Sequence, residues 1–138
     1  MLHNTTLLFN LATKSSEKDE AMRHIESSIQ KNCIMWFRLQ YRHLGKAIFA
    51  VPNGGFRNAR EAAIMKAEGV TPGVADVILL VARHGFNSLC IEFKTQRGRQ
   101  SELQKEWQKQ AEENGNKYVI CRSFMEFKEI VDEYLSEP

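Results

Sequence analysis

Three ionisable residues on neighbouring apolar segments are the first candidates for chemistry. Asp76 opens the apolar run 76–82, and Glu92 and Lys94 lie within the apolar run 88–94. Side chains alternate between the two faces of a strand, so Glu92 and Lys94 should share one face. If the two runs form a hairpin, Asp76 falls near Glu92. Because charged groups on a buried strand are costly unless they are paired or bind a metal, the two acids and the lysine should converge.

Two close carboxylates repel each other unless a cation lies between them. Oxygen ligands suit Mg²⁺ or Mn²⁺ better than zinc. Such an ion can supply a nucleophilic water and polarise a phosphoryl oxygen, while Lys94 orients that water or neutralises charge at the phosphorus. This chemistry is phosphodiester hydrolysis. The residues alone leave an alternative open: Glu92 and Lys94 form an exposed ion pair, and Asp76 caps a turn.

Hydrophobic periodicity predicts the elements that position these residues. Apolar residues at steps of three and four predict one helix over residues 18–42, with Ile25 on its buried stripe. Residues 1–15 lack periodicity and are expected to form a flexible arm before a single domain, 16–138. Short apolar segments predict strands at 47–51, 76–82, 88–94 and 117–121, the second and third joined as a hairpin.

Helix starts are marked by cap residues. Asn58 precedes Glu61 by three positions, and Ser101-x-x-Gln104 and Ser123-x-x-Glu126 have the form of capping boxes. The resulting order, α-β-α-β-β-α-β-α, predicts an α/β fold with a mixed central sheet flanked by helices.

Composition restricts the class of protein. Hydrophobic residues make up 43% and charged residues 26%, as in globular domains rather than disordered chains. No apolar run approaches the length of a membrane span, and no signal peptide is evident, so a cytoplasmic protein is expected. The three cysteines form no CxxC pair and are expected to be reduced and buried. The net charge of +2 is uneven, basic over 22–99 and acidic afterwards, which suits either a polyanion-binding face or an uneven solvated surface.

A series of spaced motifs runs through most of the chain. They are Glu26, Pro52-Asn53-Gly54-Gly55 with Arg57, Gly69-Val70-Thr71-Pro72-Gly73-Val74-Ala75-Asp76, Ile91-Glu92-Phe93-Lys94, Gly98-Arg99-Gln100-Ser101 with Gln104 and Trp107, and Cys121-Arg122-Ser123. With these motifs the sequence resembles the virus-type replication-repair nuclease (VRR-NUC) family of the PD-(D/E)xK nuclease superfamily, over about residues 26–123. Ala75 stands where the superfamily name has Pro, a residue that shapes the backbone and carries no ligand.

The resemblance implies a restriction-endonuclease-like core and a role for each matching residue. Asp76 and Glu92 would be metal ligands, with the Phe93 backbone carbonyl as a third, and Lys94 the catalytic lysine. Glu26 would complete the metal site directly or through water, although taken alone it could be an exposed helix acid. Gln104 could cap its helix, reach the site, or do both.

Candidate phosphate contacts flank the acids. They are Asn53, Arg57, Arg60, Arg97 and Arg99, each of which could also be plain surface charge. No base-reading element is evident, so recognition of DNA through its backbone shape is expected.

The expected function is that of an endonuclease acting on DNA with Mg²⁺ or Mn²⁺. By resemblance to stand-alone members of the family, we expect a homodimer selective for branched DNA such as four-way (Holliday) junctions, in phage or bacterial replication, recombination and repair. A phage-encoded protein would act in the host cytoplasm. No organic cofactor or membrane partner is expected. Two alternatives remain: a flap or 5′-end nuclease with the same chemistry, and a catalytically silent nucleic-acid-binding subunit.

Overall fold

Helices and strands follow one another along the chain in the predicted order. The computed structural model describes residues 2–52 and 58–138. The elements are α1 (Leu2–Gln40), β1 (Ile48–Ala50), α2 (Ala59–Ala67), β2 (Val77–Leu79), β3 (Leu89–Phe93), α3 (Glu102–Glu113), β4 (Lys117–Cys121) and α4 (Phe124–Leu135), with a short 3₁₀ turn at Arg42–Leu44. β1, β2 and β3 are shorter than predicted, because their ends leave the hydrogen-bonded ladder before the apolar runs end, whereas β4 has the predicted bounds.

The described strands form one mixed sheet in the order β1-β2-β3-β4. β1 pairs with β2 and β2 with β3 antiparallel, whereas β3 and β4 are parallel. A tight turn closed between Arg83 and Phe86 joins β2 to β3, as a hairpin requires. The parallel pair needs a crossover, which α3 supplies. The predicted mixed sheet flanked by helices is confirmed.

The main core lies between one face of the sheet and the helices α1 and α4. Its fully buried members include Cys33 and Phe37 of α1, Ile91 and Phe93 of β3, and Phe127 of α4. All five residues of β3 are buried, since this central strand is covered on both faces. The three cysteines are buried and free, as expected. In the described part of the chain, no helix combines the length and the apolarity that a membrane crossing requires.

Helix α1 begins much earlier than predicted. It starts at Leu2 rather than at residue 18, so residues 2–15, expected as an arm without regular structure, are helical. No Gly or Pro occurs in the first 40 residues, so nothing in the sequence ends a helix that is nucleated by its buried half. Residues 4–21 are exposed, which is why this part has no core periodicity.

The predicted caps hold at all three helix starts, with one difference. Asn58 accepts a hydrogen bond from the Glu61 amide, and Ser101 forms a complete capping box with Gln104. Ser123 accepts from the Glu126 amide, but the Glu126 carboxylate accepts from the Arg122 amide instead of the Ser123 amide. This second box is therefore shifted by one residue.

Candidate active site

The register of the hairpin brings the two acids together. Val77 pairs with Ile91 in the antiparallel ladder, so Asp76, one residue earlier, lies across from Glu92. The Phe93 amide donates a hydrogen bond of 2.7 Å to Asp76 Oδ2. This bond holds the Asp76 carboxylate at the end of β3, beside Glu92, where the sequence pattern predicted it.

Glu92 is a buried carboxylate with one oxygen paired and one not. Its residue exposure is 2%. Oε1 accepts a hydrogen bond of 2.9 Å from Gln104 Nε2 and lies 3.6 Å from Lys94 Nζ. Oε2 is buried and has no hydrogen-bond partner in the described structure. Because an unpaired buried acceptor costs free energy, this oxygen is a candidate ligand for a cation.

Burial and mutual repulsion favour a shared proton or cation at this pair. Burial, reinforced by the nearby Asp76 charge, raises the pKa of Glu92 to about 8, although Lys94 opposes the shift. Burial also raises the pKa of Asp76, against the hydrogen bond from Phe93 and the charge of Lys94. A bound cation would allow both carboxylates to ionise together.

Glu26 lies in the buried stripe of α1, not beside it. Met22 and Ile29, one turn away on either side, pack on the same face, whereas Ile25 is 52% exposed. The prediction that Ile25 is buried was therefore wrong, because the stripe runs through Glu26 instead. Burial raises the pKa of Glu26, while the Lys94 charge and a hydrogen bond from the Thr95 amide lower it. The helix acid thus reaches the end of β3, where Lys94 lies.

Gln104 performs both of the roles that its sequence position suggested. Its Oε1 accepts a hydrogen bond of 2.9 Å from the Ser101 amide, completing the capping box of α3. Its Nε2 donates to Glu92 Oε1 at the same time. One side chain therefore connects the N-terminus of α3 to the central carboxylate.

The donor set fits a hard divalent cation. Asp76 and Glu92 offer carboxylate oxygens, and Mg²⁺ is commonly held by one or two carboxylates with several waters. Within residues 2–52 and 58–138, no group of three His, Cys, Asp or Glu side chains is arranged to hold a metal. Two carboxylates with several waters therefore fit the described residues better than three acidic side chains do.

The candidate phosphate contacts are spread over several segments. Arg97 and Arg99 are exposed in the loop that follows Lys94, and Arg60 is exposed in the first turn of α2. Asn53 and Arg57 lie outside the described residues. The loop arginines are thus the pair nearest in sequence to the acids.

Arg122 supports this loop, a role the sequence analysis did not assign. Its Nη1 donates hydrogen bonds of 2.7 Å to the carbonyl oxygens of both Thr95 and Gly98. The guanidinium thereby fixes the turn between Lys94 and α3 from the end of β4. The motif Cys121-Arg122-Ser123 was a signal, but only the parallel pairing of β3 with β4 shows which segment Arg122 contacts.

Comparison with known proteins places this geometry in a class. An acid facing a Glu-x-Lys strand on a mixed α/β sheet is the arrangement of the PD-(D/E)xK nucleases. The VRR-NUC domain model matches residues 12–125, and the chain belongs to the VRR-NUC family. A solved structure named "VRR_NUC domain protein" has the same fold, with a TM-score of 0.68 and 24% identity over 80% of this chain and 87% of that one. No curated protein matches the chain.

Family membership carries a coarse functional conclusion. A VRR-NUC domain implies a nuclease of the PD-(D/E)xK type, and a nuclease domain implies binding of DNA. Nucleases of this type generally use divalent metals.

Proposed function

We propose that the protein is an endonuclease that hydrolyses phosphodiester bonds of DNA with Mg²⁺ or Mn²⁺. The observation that carries the proposal is the buried, unpartnered Oε2 of Glu92 beside Asp76. Its neighbour oxygen is already paired with Gln104, and the Lys94 ammonium lies nearest to that same oxygen. The free lone pairs are therefore available to a cation.

Each residue then has a role. Asp76, Glu92 and the Phe93 carbonyl would hold the ion, and Glu26 would complete the site directly or through water. When bound, the ion supplies an activated water and polarises a phosphoryl oxygen. Lys94 stabilises the negative charge that develops on the phosphate.

The residues around the acids orient the site and the DNA. Gln104 keeps the Glu92 carboxylate oriented through its hydrogen bond to Oε1. The phosphate contacts are Asn53, Arg57, Arg60, Arg97 and Arg99.

We propose branched DNA, such as a four-way junction, as the substrate, in phage or bacterial replication, recombination and repair. The resemblance to stand-alone family members supports this, and resolving a junction requires two cuts. A homodimer supplies two sites. The expected compartment is the cytoplasm, that of the host for a phage protein.

The test compares Asp76→Ala and Glu92→Ala with wild type on labelled four-way junctions, flaps, duplexes and single strands. Cleavage should fall by at least about a thousandfold, because removing either acid dismantles the ion site, while DNA binding persists. Glu113→Ala, which removes an exposed carboxylate at the far end of α3, is the matched control and should retain wild-type activity.

The outcomes separate the alternatives. Cleavage that requires Mg²⁺ or Mn²⁺ and stops with EDTA supports the proposal. Faster cleavage of flaps than of junctions would show that the substrate is a flap and not a junction. Wild-type protein that binds DNA without cutting any substrate would establish a silent subunit. Full activity in Asp76→Ala or Glu92→Ala would refute the site.

A further inference from the structure

One face of α1 carries a stripe of exposed residues whose apolar members lie near both ends and at the middle of the helix. The positions recur at alternating steps of four and three, as in a coiled-coil seam. They are Leu7, Leu11, Lys14, Lys18, Ala21, Ile25, Ser28, Asn32, Met35 and Leu39. All ten are exposed, and the five large apolar members are between 52% and 63% exposed. Because Cys33 and Phe37 pack into the protein's own core from another face, this stripe is a second surface of the helix.

The stripe is self-complementary when two copies run antiparallel. In a two-fold interface, residue i contacts residue j and j contacts i. About a midpoint between positions 21 and 25, apolar residues face apolar residues and each lysine faces an uncharged residue. The pairs are Leu7 with Leu39, Leu11 with Met35, Ala21 with Ile25, Lys14 with Asn32, and Lys18 with Ser28. A parallel arrangement would instead place each lysine against its own copy, which like charges disfavour.

Charges at the border of the stripe agree with the same register. In the antiparallel arrangement the exposed Glu17 of one copy falls beside the exposed Lys31 of the other, and symmetry makes this contact twice. Opposite charges at such flanking positions select partner and orientation in helix pairs.

The surface near the C-terminal half of α1 has a groove that can accept side chains of another helix. A groove of about 460 Å³ is lined by Asn32, Met35, Trp36, Leu39 and Phe124. The antiparallel register brings Leu7 and Leu8 of the other copy to this groove, and both are exposed. Residues 4–21 are exposed, so this part of the helix presents a surface to the body of a second copy.

The contact reaches the minimum size of a specific interface. A helical span from position 7 to 39 is about 50 Å long and ~10 Å wide. It would cover about 500 Å² on each copy, or about 1,000 Å² in total, the lower limit for a specific interface.

We infer that the exposed stripe of α1 is a homodimer interface, in which two α1 helices pair antiparallel about positions 21–25. The N-terminal half of each helix covers the Met35–Leu39 region of the other copy. This assignment locates the homodimer proposed above, and it does not rest on the nuclease chemistry.

Cysteine cross-linking tests the register. Leu11→Cys/Met35→Cys should form a covalent dimer under mild oxidation, since position 11 of one copy lies against position 35 of the other. Leu11→Cys alone, the matched control, should not, because two copies of position 11 lie at opposite ends. The native cysteines do not interfere, since each is at most 3% exposed. Efficient cross-linking of Leu11→Cys alone, or none in the double variant, overturns the arrangement.

Sedimentation tests the dimer itself. Sedimentation of wild type should give a mass of twice the 15.9 kDa chain. Met35→Glu places a charge in the stripe and should give the mass of a monomer. Glu17→Lys should weaken the dimer at least about tenfold, and Glu17→Lys/Lys31→Glu should restore it. Ile64→Glu, at an exposed position of α2, should leave it unchanged. Circular dichroism verifies folding of each variant.

A monomeric wild type overturns the inference. This includes the case in which the stripe is covered by another protein or by another part of the same chain. Dimers that survive both Met35→Glu and Glu17→Lys overturn it as well. Cleavage of plain duplex DNA, measured on the same samples, separates failure of the interface from failure of the nuclease.

Discussion

Glu92 is a buried carboxylate with one oxygen that is unsatisfied in the described structure, which costs stability and leaves that oxygen available to a ligand. An ionised carboxylate inside a strand needs partners for both oxygens, and Gln104 and Lys94 approach only Oε1. Asp76, which lies across from Glu92, is itself an acid and makes ionisation of Glu92 harder. The residue therefore destabilises the metal-free fold at the pH where it is charged.

Without metal, stability should fall as pH rises. The folded-state pKa of Glu92 is raised from 4.5 to about 8, so the stabilisation from its proton is complete below pH 4.5 and is lost as pH rises towards 8. In EDTA, urea denaturation of wild type should show unfolding free energy decreasing by a few kcal/mol over this range. Glu92→Gln should remove most of this dependence on pH. Added Mg²⁺ should raise the unfolding free energy of wild type and leave that of Glu92→Gln unchanged.

Glu113→Gln serves as the control for that measurement. This carboxylate is exposed, so its removal should keep the wild-type slope. Equal slopes in wild type and Glu92→Gln would show that Glu92 is not the group responsible.

At the scale of elements, helix starts place the polar groups of the site. The first turn of α3 carries Gln104, whose amide group caps the helix with its oxygen and reaches Glu92 with its nitrogen. The loop before α3 is held by Arg122 from β4. Local capping and site geometry thus depend on the same short segment.

Two variants separate the cap from the site. Ser101→Ala removes the hydroxyl that accepts from the Gln104 amide and should cost about 1 kcal/mol of stability with activity largely kept. Gln104→Glu keeps an oxygen for the cap but replaces the donor to Glu92 with a negative charge. It should lower kcat more than Ser101→Ala does, because it places a third carboxylate beside Glu92; cleavage rates measure this, with urea denaturation of both variants alongside. The opposite ranking would show that Gln104 acts only as a cap.

At the scale of the molecule, the site depends on how closely its layers approach. Gly73 has φ +84° and lies against the first turn of α3, where an added Cβ would come within 2.5 Å of the Leu103 carbonyl oxygen. The segment that leads into Asp76 therefore touches the helix that carries Gln104. Only glycine allows this contact, because the turn needs both positive φ and no side chain.

Gly73→Ala should disturb both stability and activity. Both the strain of positive φ and the clash with α3 should lower the unfolding free energy, by more than about 1 kcal/mol. Gly69→Ala is the matched control, since Gly69 has φ +104° and nothing within 4 Å of an added Cβ. It should show the strain alone and keep kcat. Equal losses in both variants, measured by thermal unfolding and cleavage, would argue against the close approach.

Much of the architecture follows from local sequence patterns. The order of elements, the hairpin and the helix starts at Asn58, Ser101 and Ser123 are local properties, fixed by periodicity and capping chemistry. The proximity of Asp76 to Glu92 could also be predicted from the sequence, because residues that face each other across a hairpin can be counted outward from its turn.

Other features depend on contacts between distant segments. The early start of α1 was missed because an exposed helix needs no apolar period, and Ile25 was misplaced because periodicity does not tell which of two stripes meets the core. Two features arise only when α3 and β4 pack beside β3. One is the unpaired oxygen of Glu92, and the other is the set of hydrogen bonds from Arg122 to the loop after β3. Sequence alone determined which groups could do chemistry. Tertiary packing decided which of their atoms are satisfied and which remain open, because burial and long-range hydrogen bonds exist only in the folded chain.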